Sequence, residues 1–233
     1  MSLFVLLPLV IVAGSIVGWY LAVVAARVPT GRTPSRTTLD GNWWRSVVLA
    51  NVVVWVLFAF RFRDDLFAAL PAYLYFGAVL VLQSVIDIRV RRLPRQNTFI
   101  GIALGGLALI IAALVVGEPE RVWMSGLGAI IALAIIGGVY TVSNVVYGAD
   151  VAFGFGDVLL APLLGLFLGW LNPGIVAPGL FFGFVLGSLA AGTTIVLRGE
   201  DSKSQLPFGP FLASGAVAGI FVGQPFLDAL TGF

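Results

Sequence analysis

Residues 149–170, ADVAFGFGDVLLAPLLGLFLGW, place a Gly-Phe-Gly-Asp turn directly before a long apolar run. The run predicts a membrane helix, and Asp157 stands at its entrance. An ionisable group at the edge of an apolar span is costly to place, so it marks a functional site by default. The segment therefore predicts a membrane fold and a site at Asp157, for which the rest of the chain must supply a partner.

The composition predicts an all-α polytopic membrane protein. Of the 233 residues, 60% are hydrophobic and 10% are charged, and the mean hydropathy is +1.06, whereas soluble domains carry about 25% charged residues. Because each span needs about 20 residues, we expect one membrane-embedded domain over residues 1–233, with a short cytoplasmic loop at 27–46. The net charge is +2, and the basic residues form no continuous stripe in the sequence that would bind nucleic acid.

Eight apolar runs predict about eight membrane helices, at residues 3–26, 47–60, 66–86, 98–116, 122–147, 157–171, 175–197 and 208–230. The first run lacks the basic segment that precedes the apolar core of a signal peptide, so we interpret it as a helix. If the N-terminus lies outside, ten of the 13 Lys and Arg residues fall in cytoplasmic loops. The positive-inside rule therefore predicts that both termini lie outside.

That topology brings two acids to the cytoplasmic face at similar depth. Asp87 ends the third span and Asp157 begins the sixth, while the remaining acids lie on the far side, beside basic residues or, as Asp150, near the glycine-rich turn. The chain has no His and no Cys, which excludes Ser–His pairs, HExxH metal sites and cysteine nucleophiles or ligands. We therefore expect no metal site and a hydrolysis that uses Asp87 and Asp157.

Two carboxylates at a membrane edge can hydrolyse a peptide bond without His, Cys or metal. One takes a proton from the attacking water and the other donates a proton, and the pair shares one proton because like charges at close range do not ionise together easily. Gly154 and Gly156 are expected to allow positive φ and a close approach of the substrate backbone. The dipoles at helix ends favour Asp157 as the base and Asp87 as the acid, although the arginines after Asp87 could reverse that order.

Each feature alone has a simpler structural interpretation. Asp157 can be a helix N-cap, Asp87 can belong to an interfacial salt-bridge cluster, and the 29 glycines can serve as small-residue packing between membrane helices. The joint occurrence of two acids at one depth, in a chain without His or Cys, favours a catalytic pair.

Four motifs resemble those of the type IV prepilin peptidases, which are GxGD-type membrane aspartyl peptidases. Residues 153–158, FGFGDV, are similar to the GxGD segment, and residues 87–94, DIRVRRLP, to the other catalytic segment, an Asp seven residues ahead of Pro94. Gly14 and Ser15 with residues 27–29, RVP, resemble the end of the family's first helix, and residues 206–212, LPFGPFL, resemble the segment before its last helix. The four follow the family's order over nearly the whole chain.

The resemblance implies that Asp87 and Asp157 are catalytic and that Pro94, Gly154 and Gly156 support them. It implies removal of the short basic leader of prepilin-like or pseudopilin subunits, after a Gly, at the cytoplasmic face of a bacterial or archaeal inner membrane. The peptidase is expected to need no cofactor. Many relatives also N-methylate the new terminus with S-adenosylmethionine, and the absence of their paired CxxC zinc motifs argues against that activity here.

A basic leader approaching an arginine-rich site requires acids to attract it, and we expect these to be Asp150, Glu200 and Asp201. The substrate's apolar stem is expected to lie along lipid-facing helices in the bilayer. Two alternatives remain open: an intramembrane GxGD protease, in which a Tyr usually stands where this chain has Ile86, and a proton- or cation-coupled transporter, in which the acids should lie nearer mid-membrane within an internal repeat.

Overall fold

The computed structural model describes residues 3–27, 41–64, 66–91, 93–148, 154–198 and 207–232, and the regular structure within these ranges is helical throughout. The eight α-helices are α1 (Leu3–Arg27), α2 (Trp43–Arg61), α3 (Leu70–Val90), α4 (Arg95–Val116), α5 (Glu120–Tyr147), α6 (Phe155–Leu171), α7 (Val176–Arg198) and α8 (Gly209–Thr231). Single 3₁₀ turns at Phe67–Ala69 and Pro173–Ile175 precede α3 and α7.

The predicted all-α membrane fold is confirmed. Seven described helices are long and apolar enough to cross a bilayer, and the eighth, α6, is apolar but has only 17 residues. Two helices begin three or more residues earlier than their apolar runs, α2 at Trp43 and α4 at Arg95. Their first turns carry polar residues, which a pattern of apolar residues leaves out. The side of the membrane on which the termini lie stays a prediction.

The two helices that carry the predicted acids are the most enclosed. About 61% of the apolar window of α3 is buried inside the protein, against 22–39% for the other six long helices. In α6, 11 of the 17 residues are buried. A helix that is apolar on all sides is stable only where other helices or lipid surround it, and α6 is surrounded by α4, α5, α7 and α8.

Glycines allow two helix pairs to pack with their backbones in contact. Between α5 and α6, a Cβ built on Gly169 would lie 2.7 Å from the Cα of Gly128. Between α7 and α8, a Cβ built on Gly219 would lie 2.8 Å from the Cα of Gly179. For these glycines, small-residue packing between membrane helices is therefore the correct interpretation.

An aromatic cluster fixes α3 against α6 at the end opposite to the acids. The Tyr73 hydroxyl donates a hydrogen bond to the carbonyl oxygen of Phe167 over 2.7 Å, and the rings of Phe76 and Phe167 stack with centroids 4.1 Å apart. Tyr73 lies near the start of α3 and Phe167 near the end of α6, so the two helices run antiparallel. This register brings Asp87, in the last turns of α3, and Asp157, in the first turn of α6, to the same end of the protein.

Candidate active site

Asp87 and Asp157 meet as neighbouring buried groups. Each residue is only 6% exposed, and the two carboxylates lie close enough for the charge of Asp87 to act on Asp157. Neither takes part in an ion pair among the described residues, where the salt bridges join Arg63 to Asp64 and Arg121 to Glu118. Two buried acids without a cation are unfavourable for stability, which makes this pair a candidate for chemistry.

The Asp87 carboxylate is held from across the bundle. The backbone N–H of Gly209, the first residue of α8, donates a hydrogen bond to Asp87 Oδ2 over 3.0 Å. Its own helix ends just beyond, where the N–H of Arg91 bonds to the carbonyl oxygen of Asp87 over 2.8 Å and Arg91 adopts φ 54°. The expectation that Asp87 is the acid rests on the dipole at the C-terminus of α3, which favours the protonated form. The N-terminus of α8 also faces this carboxylate, and its dipole acts in the opposite sense.

The Asp157 carboxylate turns back towards the start of its own helix. Gly154 is the N-cap residue of α6, with φ −84° and ψ 144°, and the N–H of Asp157 bonds to its carbonyl oxygen over 3.1 Å. The backbone of Gly154 also hydrogen-bonds the Asp157 side chain. The capping interpretation of Asp157 is therefore partly right, because an acid at the third helical position commonly reaches back to the N-cap.

The expectation of positive φ at the two motif glycines was wrong, and only Gly156 is needed for space. Among the described glycines, positive φ occurs at positions 41, 117, 148 and 232, so neither Gly154 nor Gly156 adopts it. A Cβ built on Gly156 would lie 3.0 Å from the Cβ of Leu93, whereas one on Gly154 would lie 3.6 Å from Asp157 Oδ2. Gly156 therefore lets the turn before α6 pack against the connection that follows Asp87.

Pro94 turns the chain from α3 into α4. It is the N-cap residue of α4, with φ −66° and ψ 116°, and its carbonyl oxygen accepts a bond from the N–H of Thr98 over 3.3 Å. The next residue, Arg95, places its guanidinium 5.6 Å from the ring centroid of Phe155, and the Tyr140 ring contacts the same ring at 5.8 Å. The start of α4 and the side of α5 thus hold the Gly-Phe-Gly-Asp turn between them.

Two buried polar residues near Asp87, Gln83 and Thr98, escaped the sequence prediction, whereas Arg89 was among the arginines expected to act on the pair. Gln83, one turn before Asp87 on α3, donates from Nε2 to Thr98 Oγ1 over 2.7 Å, and both residues are only 1% exposed. Arg89 stacks over the Trp43 ring at 4.2 Å and its buried Nη1 has no hydrogen-bond partner. The signal for Gln83 was present as an amide in an apolar run four residues before the acid.

Three predicted substrate-binding acids, Asp150, Glu200 and Asp201, lie outside the described residues. Within the described part of the chain, no group of three acidic, His or Cys residues could hold a metal ion. The arrangement of Asp87 and Asp157 is suited to proton transfer, because two neighbouring carboxyl groups, each beside a helix N-terminus, can accept and donate protons.

Comparison with known proteins identifies relatives of one kind. The profile of the type IV leader peptidase family matches residues 74–197, which include both acids. A prepilin leader peptidase/N-methyltransferase of Burkholderia pseudomallei is 31% identical over 169 residues, 71% of this chain and 50% of the relative. Proteins of the same name from Pectobacterium carotovorum and Aeromonas hydrophila are each 30% identical, over 66% and 58% of this chain and 53% and 43% of their own lengths. The chain spans about half the length of these relatives, and no solved structure gives a significant match.

Proposed function

The chain belongs to the type IV leader peptidase family, and on that premise we propose that it is an aspartyl endopeptidase that removes the leader of type IV prepilin-like or pseudopilin substrates. The observation that carries the proposal is the proximity of Asp87 and Asp157, both buried and without an ion pair among the described residues, inside the region that matches the family. The peptidase would comprise residues 1–233 as one membrane-embedded domain.

In the proposed mechanism the two acids share one proton. The ionised carboxylate takes a proton from water as the water oxygen attacks the scissile carbonyl carbon. The protonated carboxyl donates its proton to the carbonyl oxygen, which gives a tetrahedral intermediate with two hydroxyl groups. As the C–N bond breaks, the acid that took the proton from water gives it to the leaving nitrogen, and the other acid takes a proton back from one of the hydroxyl groups, so that the pair again holds one proton. Burial supports this chemistry, because the charge that develops in the transition state is stabilised more strongly in a site that excludes water.

We place the active site on the cytoplasmic face of an inner membrane. The support is the distribution of basic residues: Arg89, Arg91 and Arg95 lie at the end of the bundle that holds the acids, and such residues are retained on the cytoplasmic side. The leader of a substrate is then attracted by Asp150, Glu200 and Asp201, while its apolar stem lies in the bilayer against the helices.

The proposal is restricted to the peptidase reaction, without a cofactor. The names of the relatives also include N-methyltransferase, an activity that would require S-adenosylmethionine. This chain has no Cys, so it cannot form the paired CxxC zinc motifs that the resemblance associates with bifunctional members. Product masses will distinguish the two activities, because methylation adds one methyl group to the new N-terminus.

The proposal is tested by co-expressing the chain with a prepilin-like substrate that has a basic leader ending in Gly. Asp87→Asn and Asp157→Asn are each expected to lower cleavage at least about a hundredfold, since general acid–base groups contribute roughly 10²–10⁴-fold. The melting temperature should stay equal or rise, because each change removes a like charge from a buried pair.

Glu118→Gln is the matched control, an acid at the other end whose salt bridge is half exposed. It should leave cleavage unchanged, because exposed pairs contribute only about 0–1 kcal/mol. Cleavage that survives either Asp substitution would refute the catalytic pair. Cleavage within the apolar stem would instead favour the intramembrane protease, and acid-dependent ion transport without cleavage would favour the transporter.

A further inference from the structure

The first turn of α8 is built so that one backbone N–H points at Asp87. A helix normally begins with several N–H groups that lack partners within the helix. In α8, Phe208 is the N-cap residue, Pro210 has no N–H, and the N–H of Phe211 bonds to the carbonyl oxygen of Phe208 over 3.0 Å. Gly209 is left as the donor of this turn, and its N–H goes to Asp87 Oδ2, 122 residues away in sequence.

Residue 209 is glycine because a side chain would occupy the place of the carboxylate. A Cβ built there would lie 2.9 Å from Asp87 Oδ2 and 3.4 Å from Asp87 Cγ. Backbone conformation does not explain the glycine, since Gly209 is helical and absent from the residues with positive φ. The close approach of a helix N-terminus to the acid is therefore what excludes a larger residue.

Building on the proposed peptidase activity, we propose that Gly209 is a positioning residue for that reaction. Its N–H fixes the orientation of the Asp87 carboxylate towards Asp157 and stabilises the ionised form of Asp87, as hydrogen bonds and helix N-termini do for carboxylates. The segment Phe-Gly-Pro-Phe at 208–211 thereby acts as an anchor for an acid on another helix. Gly209 itself does not touch the substrate.

The charged and titratable groups around Asp87 determine how the positioning role should depend on pH. Asp157 on α6 faces it and Gly209 on α8 bonds to it. On its own helix Arg89 is stacked on Trp43 of α2, and the backbone N–H of Arg91 caps the helix end. Weakening the Gly209 bond removes a hydrogen bond that favours the ionised carboxylate of Asp87, so the pH–rate profile of the pair should move.

The first experiment compares Gly209→Ala with wild type on a synthetic peptide that has a basic leader, a Gly cleavage site and an apolar stem. The expected result is a fall in kcat of about tenfold or more with KM changed less than about twofold, and a pH–rate profile moved by on the order of one unit. The melting temperature should change little, because the added methyl group meets the movable end of the Asp87 side chain and not a neighbouring backbone. An unchanged kcat and profile would overturn the proposal.

Two control variants separate positioning from packing. Gly106→Ala on α4 places a Cβ in open space and should change nothing. Gly219→Ala, also on α8, pushes a Cβ against Gly179 and should lower the melting temperature without moving the pH profile of the folded enzyme. If Gly219→Ala moved the profile as far as Gly209→Ala, general disturbance of α8 would account for both, and the proposal would fail.

A second measurement does not depend on cleavage or on folding of the glycine variants. Labelling with ¹³C-carbonyl phenylalanine and ¹⁵N-glycine selects the amides of the five Phe-Gly pairs, at glycines 77, 154, 156, 183 and 209. Asp87→Asn should shift the Gly209 amide resonance strongly, and Glu118→Gln should not. If the Gly209 amide resonance does not shift in Asp87→Asn, the positioning role is overturned, even if the wild type is active. If the wild type cleaves no substrate, the peptidase proposal is refuted instead.

Discussion

The two ends of the helix bundle differ in whether their charged side chains form ion pairs. At the end away from the acids, Arg121 forms a 2.7 Å salt bridge to Glu118 and donates from Nη1 to the carbonyl oxygen of Trp170 over 3.1 Å. At the other end, the acids Asp87 and Asp157 share no ion pair among the described residues. Arginines stack on aromatic rings at both ends, Arg89 on Trp43 at 4.2 Å beside the acids and Arg121 on Trp170 at 4.7 Å at the far end.

The difference suggests that one end of the bundle contributes mainly to the stability of the protein and the other to its proposed activity. The far end pairs Arg121 with Glu118 and holds the aromatic cluster around Tyr73, which fixes the register of α3 against α6. The end with the acids keeps two carboxylates buried in unfavourable proximity, and native proteins retain such arrangements at functional sites. Changes at the far end should therefore alter the free energy of unfolding, and changes at the acid end should alter the reaction rate.

The largest expected effect is a loss of stability from Phe167→Ala. The ring is fully buried, stacks on Phe76 and contacts Tyr73 at 5.3 Å, and truncating a buried Phe costs roughly 3–5 kcal/mol. Thermal unfolding in detergent should show a large fall in melting temperature, with kcat per folded molecule nearly unchanged below it. Phe181→Ala, at a ring that is 53% exposed, is the control and should shift the melting temperature little. A specific loss of kcat in Phe167→Ala would contradict the division between the ends.

A smaller effect, on rate, is expected from Gly156→Ala. The added methyl group would meet Leu93 at 3.0 Å and push the turn that carries Asp157 away from Asp87. Because misplacement by about 1 Å can cost up to about 10²-fold, we expect kcat to fall about tenfold in a steady-state cleavage assay. Gly154→Ala is the matched control, since its Cβ would find only ordinary contacts at 3.6 Å. Equal losses in both variants would show that local packing against Leu93 is not the cause.

The smallest effect is expected from neutralising the predicted leader-binding acids. Glu200→Gln combined with Asp201→Asn should raise KM for a basic-leader peptide a few-fold and leave kcat unchanged, because the lost attraction acts on binding alone. Salt screens such attraction over about 10 Å at 0.1 M, so the difference from wild type should shrink at high ionic strength. If KM were the same for both proteins at low salt, these acids would have no part in substrate binding.

Most of the fold could be predicted because membrane spans leave a one-dimensional signal. Apolar runs located all eight described helices, and α6 was found despite its 17 residues because its apolar run has a polar turn before it. The pairing of Asp87 with Asp157 was also predictable, since the distribution of arginines assigned both to one face. Helix starts were less predictable, as at Trp43, because the first turn of a membrane helix can be polar.

The finer construction of the site could not be predicted from local pattern. The bond from Gly209 to Asp87 joins positions 122 residues apart, and the motif around Gly209 carries no sign of which side chain it faces. The same holds for Gln83 and Thr98, whose bond depends on how α3 and α4 pack. The glycines of the Gly-Phe-Gly-Asp turn were identified, but the expected positive φ was wrong, because a glycine in a sequence does not show whether space or backbone conformation requires it. The close approach of a substrate backbone to these glycines stays a prediction.

The shortness of α6 has a consequence for where the reaction takes place. Seventeen residues of α-helix rise about 26 Å, about 4 Å less than a hydrocarbon layer of roughly 30 Å, whereas the 28 residues of neighbouring α5 rise about 42 Å. Asp157 lies in the first turn of the shorter helix, α6, beside the longer helix α5. Because α6 is shorter than the hydrocarbon layer, we expect water to reach Asp157 below the level at which α5 ends. The thickness of the surrounding lipid is therefore expected to affect the proposed hydrolysis, since it sets how far water must penetrate to reach the acid.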